Sequence, residues 1–142
     1  VYGGSYGGYL TAMALGRDSD LFSGGVDIHG VHDRTLYGYL NSINYEKAPD
    51  YDLARETAWK SSPIADIDTW KSPVLIIHAD DDRNVYFKQS TDLVQRLRKK
   101  KVYMETMVIV DDTHHFMMFE NQMKVNKGTA DFLIRLAEGN IN

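Results

Sequence analysis

The sequence contains no cysteine, so no disulfide framework can hold the fold together, and the redox compartment is left open. No apolar run approaches the ~20 residues that a membrane-spanning helix needs. Acidic and basic residues are interspersed and give a formal net charge of -4, which excludes a basic surface for nucleic acid and a polybasic membrane patch. The first residue is Val1 rather than Met, and no signal-type segment is present, so we expect a piece of a longer chain.

The residues that are present suffice for one domain with a hydrophobic core. The chain has 142 residues, of which 43% are hydrophobic, and this size suits a single compact domain. Predicted strands alternate with predicted helices, which indicates an α/β fold with a mostly parallel sheet flanked by helices. The predicted strands are Val1–Tyr2, a short strand within Leu21–Gly30, Pro73–Ala79 and Tyr103–Val110, and the predicted helices are Tyr9–Gly16, Phe87–Lys100 and Gln122–Glu138. Residues 31–70 carry no strong strand signal, and we expect helices and loops there.

The stretch VYGGSYGGYL contains a G-x-S-x-G pattern formed by Gly3, Ser5 and Gly7. In this pattern a strand runs into a helix through a tight turn, and the serine takes a strained backbone conformation. We expect a side chain at either flanking glycine to collide with the neighbouring strand or helix. The pattern predicts an exposed serine that can act as a nucleophile once a base lies beside it.

Two later predicted strands also end in residues that can do chemistry. The strand PVLIIHA is followed by three aspartates in HADDDRNV, and the last strand is followed by two histidines in VDDTHHF. Because function gathers at the carboxyl ends of parallel strands, we expect a serine, a carboxylate and an imidazole to lie at one edge of the sheet. Their order along the chain, Ser then Asp then His, is that of the α/β-hydrolases.

Metal-site interpretations of the same residues fail on spacing. A D-x-D-x-N pattern begins at Asp80, but Val85 takes the place of the glycine that a calcium loop needs, and Thr91 takes the place of its last ligand. The pair His114 and His115 has no histidine four residues away and no cysteine to complete a zinc site. We therefore expect neither a metal nor a cofactor. The other histidines near strand ends are interpreted as structural: His29, His32 and His78.

Several stretches resemble the catalytic-domain signatures of the prolyl oligopeptidase family of serine peptidases, which includes dipeptidyl peptidases and acylaminoacyl peptidases. They are GGSYGGYL, HADDDRNV followed by FKQS, and DDTHHF followed by EN, and nearly the whole chain takes part in the resemblance. It implies that residues 1–142 form the C-terminal portion of an α/β-hydrolase domain. The upstream strands of the sheet, and a β-propeller that screens substrates, would then belong to the chain before Val1.

The resemblance implies a residue for each part of a catalytic triad. Ser5 matches the nucleophile, and the family's H-G-x-x-D-x-x-V pattern assigns the acidic residue to Asp82. The catalytic histidine matches His114. Non-glycine residues follow both histidines of these patterns, which leaves Asp81 and His115 as alternatives to be tested.

The resemblance also implies residues that would contact the substrate. The backbone N–H of Tyr6 would stabilise the oxyanion, while a second donor, a tyrosine upstream of the serine, has no match in this chain. Tyr37 and Val85 match positions that line the pocket for the residue before the cleaved bond. Arg34 stands where dipeptidyl peptidases tend to have an aromatic residue, so the substrate preference is left open.

The function predicted on these grounds is a serine peptidase that cleaves short peptides through an acyl-enzyme. One alternative is a carboxylic-ester hydrolase of the same fold, which uses the same triad. Another is a catalytically silent fragment that associates with itself or with the missing N-terminal part of its domain. The expected partner of an active enzyme is a peptide substrate, and neither nucleic acid nor a membrane span is expected.

Overall fold

The chain folds around a parallel sheet of four strands. The computed structural model describes residues 1–40 and 43–141. Their elements are β1 (Tyr2–Gly4), α1 (Tyr6–Arg17), β2 (Gly25–Ile28), β3 (Tyr39–Leu40), β4 (Ile43–Asn44), α2 (Tyr51–Lys60), β5 (Val74–Ala79), α3 (Lys88–Lys99), β6 (Met104–Ile109) and α4 (Phe119–Ala137). The parallel strands lie side by side in the order β1, β2, β5, β6. The α/β fold predicted from the sequence is confirmed.

Strand β5 carries the hydrophobic core on both faces of the sheet. All six of its residues are buried. Because successive side chains of a strand point to opposite faces, Ile76 packs in one cluster with Leu15 of α1 and Leu97 of α3. Ile77 packs in a second cluster with Phe132 of α4. This double burial explains the continuous apolar run in the sequence and leaves the carboxyl ends of the strands free for a site.

Helix α4 begins at Phe119 rather than at the predicted Gln122. The Asp112 carboxylate accepts hydrogen bonds from the backbone N–H of Met117 across 2.8 Å and from the side-chain amide of Asn121 across 2.8 Å. These bonds hold the loop in place directly before the helix and let it start earlier than its apolar pattern suggests. Among the described residues, no helix is both long and apolar enough to cross a membrane.

Residues 31–70 contain a small pair of strands that the sequence analysis did not predict. Strand β3 pairs with β4 in antiparallel register, Tyr39 opposite Asn44 and Leu40 opposite Ile43. Each strand has only two residues, which is too short for an alternating pattern to be detected. Helix α2 follows, as expected for a segment of helices and loops.

A buried network ties the end of β2 to the start of α3. His32 Nε2 lies 2.5 Å from the Asp27 carboxylate, and His32 Nδ1 lies 3.0 Å from the carbonyl oxygen of Gln89. Both partners are acceptors, so the ring carries a proton on each nitrogen. The Gln89 side-chain oxygen accepts the N–H groups of His32 and Asp33 across 2.9 and 2.8 Å. The loop after β2 is thereby fixed against α3.

Candidate active site

Ser5 lies in the tight turn between β1 and α1. Its φ of 57° and ψ of -114° lie in a region that residues with side chains rarely adopt, so the turn is strained. The Ser5 N–H donates to the Ile28 carbonyl across 2.9 Å, and the Ser5 carbonyl accepts the N–H of Tyr9 across 3.0 Å. The second bond closes the first turn of the helix, which is why α1 begins at Tyr6 rather than at the predicted Tyr9.

The glycines around Ser5 are needed for different reasons. A Cβ at Gly3 would lie 2.6 Å from the carbonyl oxygen of Gly7, and a Cβ at Gly8 would lie 2.7 Å from that of Ile28. A Cβ at Gly7 would meet nothing within 4 Å. The predicted collision is therefore confirmed at Gly3 and wrong at Gly7, because the Gly7 backbone is what crowds Gly3 while its own Cβ direction points to open space.

Asp82 lies in the loop after β5 and is 4% exposed. Its Oδ1 accepts the backbone N–H groups of Asn84 and Val85, each across 2.9 Å. Its Oδ2 lies 2.6 Å from Nδ1 of His114. Burial opposes ionisation of this carboxyl, but the hydrogen bonds from His114, Val85 and Asn84 outweigh it and hold the pKa of Asp82 below its usual value. The carboxylate is therefore ionised and oriented.

His114 follows β6 and joins the other two groups. It is 6% exposed, and its Nε2 lies 2.9 Å from the hydroxyl of Ser5. Because Nδ1 faces a carboxylate, that nitrogen carries the proton, and in the neutral ring Nε2 is free to accept the proton of the Ser5 hydroxyl. The structure thus brings Ser5, Asp82 and His114 into one hydrogen-bonded line.

The neighbouring residues that the sequence left as alternatives lie elsewhere. The Asp81 carboxylate is exposed and lies 3.4 Å from Nε of Arg83. His115 is exposed, and its ring meets the edge of His114 with centroids 5.3 Å apart. Asp80 accepts the backbone N–H of Asp111 across 2.9 Å and so joins the loops that follow β5 and β6.

Of the residues predicted to contact substrate, Tyr6 directly follows Ser5, and Val85 donates its backbone N–H to Asp82. Tyr6 is the first residue of α1, so no carbonyl within the helix can accept its backbone N–H. The hydroxyl of Tyr37 accepts the N–H of Tyr86 across 3.1 Å, and burial raises the pKa of Tyr37. Val85 is 6% exposed. A cavity of about 140 Å³ is lined by Leu36, Tyr37, Tyr86, Lys88 and Gln89.

Two histidines that the sequence analysis interpreted as structural contact the site directly. The ring of His29 packs on His114 with centroids 4.1 Å apart, and its buried Nδ1 has no hydrogen-bond partner among the described residues. His78 Nε2 lies 3.2 Å from Oδ2 of Asp82. The one available signal for His78 was its place at the start of the H-x-x-x-D spacing. For His29 the only signal was its place at the end of β2.

Among the described residues, one group has the ligand atoms that a metal ion would need. His29, Asp82 and His114 each offer one ligand atom, and these atoms lie within 4.8 Å of one another. Asp82 and His114 already share a hydrogen bond of 2.6 Å through two of their ligand atoms, so a cation would have to displace that proton. The arrangement is that of a proton-sharing pair, and the absence of a metal stays a prediction.

Residues 1–140 match the Prolyl oligopeptidase family. The chain belongs to this family of serine peptidases. A curated family relative, dipeptidyl aminopeptidase BIII of Pseudoxanthomonas mexicana, is 30% identical over 149 residues, covering 98% of this chain and 22% of that protein. Another relative, from Rattus norvegicus, is named inactive dipeptidyl peptidase 10 and is 31% identical over 116 residues, 81% of this chain and 14% of its own length.

A solved structure of the family supports the fold. An acylaminoacyl peptidase in complex with Z-Gly-Gly-Phe-chloromethyl ketone has a TM-score of 0.78 and 28% identity, covering 94% of this chain and 23% of that chain. The fold is thus that of the α/β-hydrolase peptidases. The chain spans less than a quarter of each relative's length, 22% and 14% for the two curated ones.

Arg34, the residue that leaves the family's substrate preference open, lies beside the helix that carries Tyr6. Its guanidinium carbon lies 5.4 Å from the centre of the Tyr9 ring, and Tyr9 in turn packs on Tyr6 with centroids 5.3 Å apart. The Nε of Arg34 is buried, and no residue in the described part of the chain forms a hydrogen bond with it. A positive side chain at this place differs chemically from an aromatic one, so a preference known for one relative does not transfer to this protein.

Proposed function

We propose that the protein is a serine peptidase that hydrolyses peptide bonds of short peptides through Ser5, His114 and Asp82. The observation that carries the proposal is the hydrogen-bonded line, with 2.6 Å from Asp82 to His114 and 2.9 Å from His114 to Ser5. A serine hydroxyl becomes a nucleophile when a base accepts its proton and a third group orients that base. The three side chains have the residue types and the contacts for these roles.

The reaction follows from these contacts. Ser5 Oγ attacks the peptide carbonyl while His114 Nε2 accepts its proton, and Asp82 stabilises the imidazolium that forms. The oxyanion accepts a hydrogen bond from the N–H of Tyr6 at the positive end of α1. His114 then protonates the leaving amine, and the acyl group stays on Ser5. Water, deprotonated by His114, releases the acid and restores the hydroxyl.

The substrate of this reaction is a peptide whose residue before the cleaved bond lies near Tyr37 and Val85. Support for Tyr37 is its place in the wall of the 140 Å³ cavity. Support for Val85 is its contact with the Asp82 loop, since its backbone N–H donates to Oδ1 across 2.9 Å. Because the chain covers only 22% and 14% of the length of its two relatives, we propose that it pairs with further strands of a hydrolase sheet, which supply the second oxyanion donor.

The test uses the full-length protein with a chromogenic aminoacyl or dipeptidyl amide and, in parallel, a short-chain chromogenic ester. A peptidase hydrolyses the amide, and Ser5→Ala abolishes that turnover, while Ser23→Ala, a change at an exposed serine, leaves it intact. Hydrolysis of the ester alone would favour the carboxylic-ester hydrolase. Failure of both substrates with a folded protein would mean that the fold is present without the activity, as the name of one relative states for that protein.

A further inference from the structure

His78 is a buried histidine for which the proposed reaction has no use. It lies on β5, is 1% exposed, and contacts polar atoms through both ring nitrogens. Its Nε2 lies 2.8 Å from the carbonyl oxygen of Val85 and 3.2 Å from Oδ2 of Asp82. Its Nδ1 lies 2.6 Å from the hydroxyl of Ser90 on α3.

These contacts determine where the proton of the ring lies. A carbonyl and a carboxylate can only accept, so Nε2 of His78 carries the proton and donates to Val85 and Asp82. Burial lowers the pKa of His78, so the ring is neutral and Nδ1 has a free lone pair. The Ser90 hydroxyl therefore donates to Nδ1. The two acceptors at Nε2 thus select the tautomer that points a donor at Asp82, and the hydrogen bond from Ser90 to Nδ1 orients the ring.

With this donor the Asp82 carboxylate receives four hydrogen bonds. Oδ1 accepts the N–H groups of Asn84 and Val85, and Oδ2 accepts from His114 and His78. The hydrogen bond from His78 is made to Oδ2, the same oxygen that contacts Nδ1 of His114. It therefore acts on the atom that orients the proposed base. A carboxylate satisfied on both oxygens cannot rotate without losing a bond to a buried donor.

We propose that His78 is a positioning residue of the active site, which fixes Oδ2 of Asp82 for His114, and that Ser90 orients the His78 ring for this contact. The inference rests on the proposed function, because a positioned Asp82 matters only if His114 acts as the base. The other titratable groups around these rings are His29, whose ring meets His78 edge-on with centroids 6.3 Å apart, and the buried pair Asp27 and His32.

The test compares His78→Leu with His78→Gln in the full-length protein. Leucine removes the donor, while the glutamine amide can still donate toward Oδ2. We expect kcat of His78→Leu to fall about tenfold or more. We also expect the acid limb of its kcat/KM profile to move to higher pH, because an Oδ2 with one donor fewer stabilises the His114 imidazolium more strongly. His78→Gln should restore most of kcat and return the limb to its original place.

If the His78 side chain served only to pack the core, these variants would give a different result. Loss of folded protein lowers the plateau of the kcat/KM profile without moving its acid limb. A folded His78→Leu with an unchanged acid limb would therefore overturn the proposal. So would a His78→Gln variant that behaves like His78→Leu. If His78→Leu does not fold, Ser90→Ala tests the same contact through the orientation of the ring, with Ser90→Thr as the variant that keeps the hydroxyl. Thr91→Ala, one position along α3, is the matched control and should leave the limb in place.

A readout without turnover separates this inference from the proposed function. The ¹⁵N shifts of labelled histidine report which ring nitrogen carries the proton. We expect His78 to be protonated on Nε2 in the parent protein, and we expect its Nδ1 signal to shift in Ser90→Ala, which removes the hydrogen bond to that nitrogen. If Ser5→Ala retains activity, the proposed function is wrong, and the His78 signal still decides the tautomer. If the signal shows protonation on Nδ1, the positioning role is wrong whatever the activity.

Discussion

The imidazole ring of His29 packs on the ring of His114, with centroids 4.1 Å apart and planes inclined by 37°. On its other side His29 stacks on Phe116, with centroids 5.1 Å apart. Burial, then the nearby His114 and His78, lower the pKa of His29 from the ordinary 6.5 to about 4. The His29 ring is therefore uncharged throughout the physiological pH range, and it packs in this form against His114, the proposed base.

This neutral histidine predicts a loss of stability in acid. Between pH 6.5 and about 4 the unfolded chain binds a proton on His29 that the folded chain does not, so stability falls as the pH falls through that window. By pH 4.5 the cost is about 2–3 kcal/mol. His29→Phe keeps the ring and removes the titration, so the loss of unfolding free energy between pH 7 and pH 4.5 should shrink by this amount. The matched exposed change His115→Phe should leave the loss unchanged, and equal losses in both variants would contradict the prediction.

Substitution of Ser5, Asp82 or His114 should abolish turnover or lower it strongly, whereas substitution of the neighbouring residues should not. We expect Ser5→Ala to abolish activity, and Asp82→Asn and His114→Ala to lower the rate by at least ~10³-fold, because base and orienting group act as a unit. Steady-state kinetics of the full-length protein measure this.

The controls are the adjacent residues Asp81→Asn and His115→Ala, both of which are exposed. They should retain most of the activity. If Asp81→Asn were more damaging than Asp82→Asn, the assignment of the acidic residue would be wrong, and the same holds for His115 against His114.

Inhibitors should separate serine chemistry from metal chemistry. A fluorophosphonate should label Ser5 covalently and stop hydrolysis, because it reacts with a serine that a neighbouring base activates. A chelator should leave the rate unchanged. Mass spectrometry of the labelled peptide, with Ser5→Ala as control, gives the site. Loss of activity on chelation, restored by zinc, would point instead to a cation at His29, Asp82 and His114.

The isolated chain should associate through the free edge of β1. Within the described residues β1 pairs only with β2, and apolar residues in and next to β1 are exposed, Val1 at 43% and Tyr2 at 63%, as is Leu10 of α1 at 51%. Unpaired backbone groups and apolar side chains at a sheet edge favour association. Light scattering of the 142-residue chain should give a mass above that of a monomer, with little hydrolysis.

A charge at the same edge tests this explanation. Tyr2→Lys should reduce the association, whereas Leu21→Lys, in the exposed turn after α1, should not. A stable monomer with turnover comparable to that of the full-length protein would contradict the prediction and would mean that these strands carry a sufficient site.

The strands and the site contacts could be predicted from the sequence wherever the folded structure leaves a local pattern of residue types along the chain. The run that became β5 is apolar throughout because both of its faces are covered, and Ser5, Asp82 and His114 each follow a strand whose carboxyl end lies at the same edge. The donor role of His78 could not be predicted, because it depends on the side of Asp82 that the ring faces and on a hydroxyl twelve residues further along the chain. The direction of the Cβ at Gly7 likewise depends on packing that no spacing encodes.

The line from Ser5 to His114 joins residues 109 positions apart, and the bond from His114 to Asp82 joins residues 32 apart. Contacts of such long sequence separation require the ends of large loops to meet. They form slowly, because the chain loses conformational entropy before the contact contributes any stabilising free energy. No short stretch of this chain can therefore hold the site during synthesis or refolding. Ser5 and His114 come together only when β1, β2, β5 and β6 have all been laid side by side, so the proposed nucleophile cannot meet its base before the whole sheet has formed.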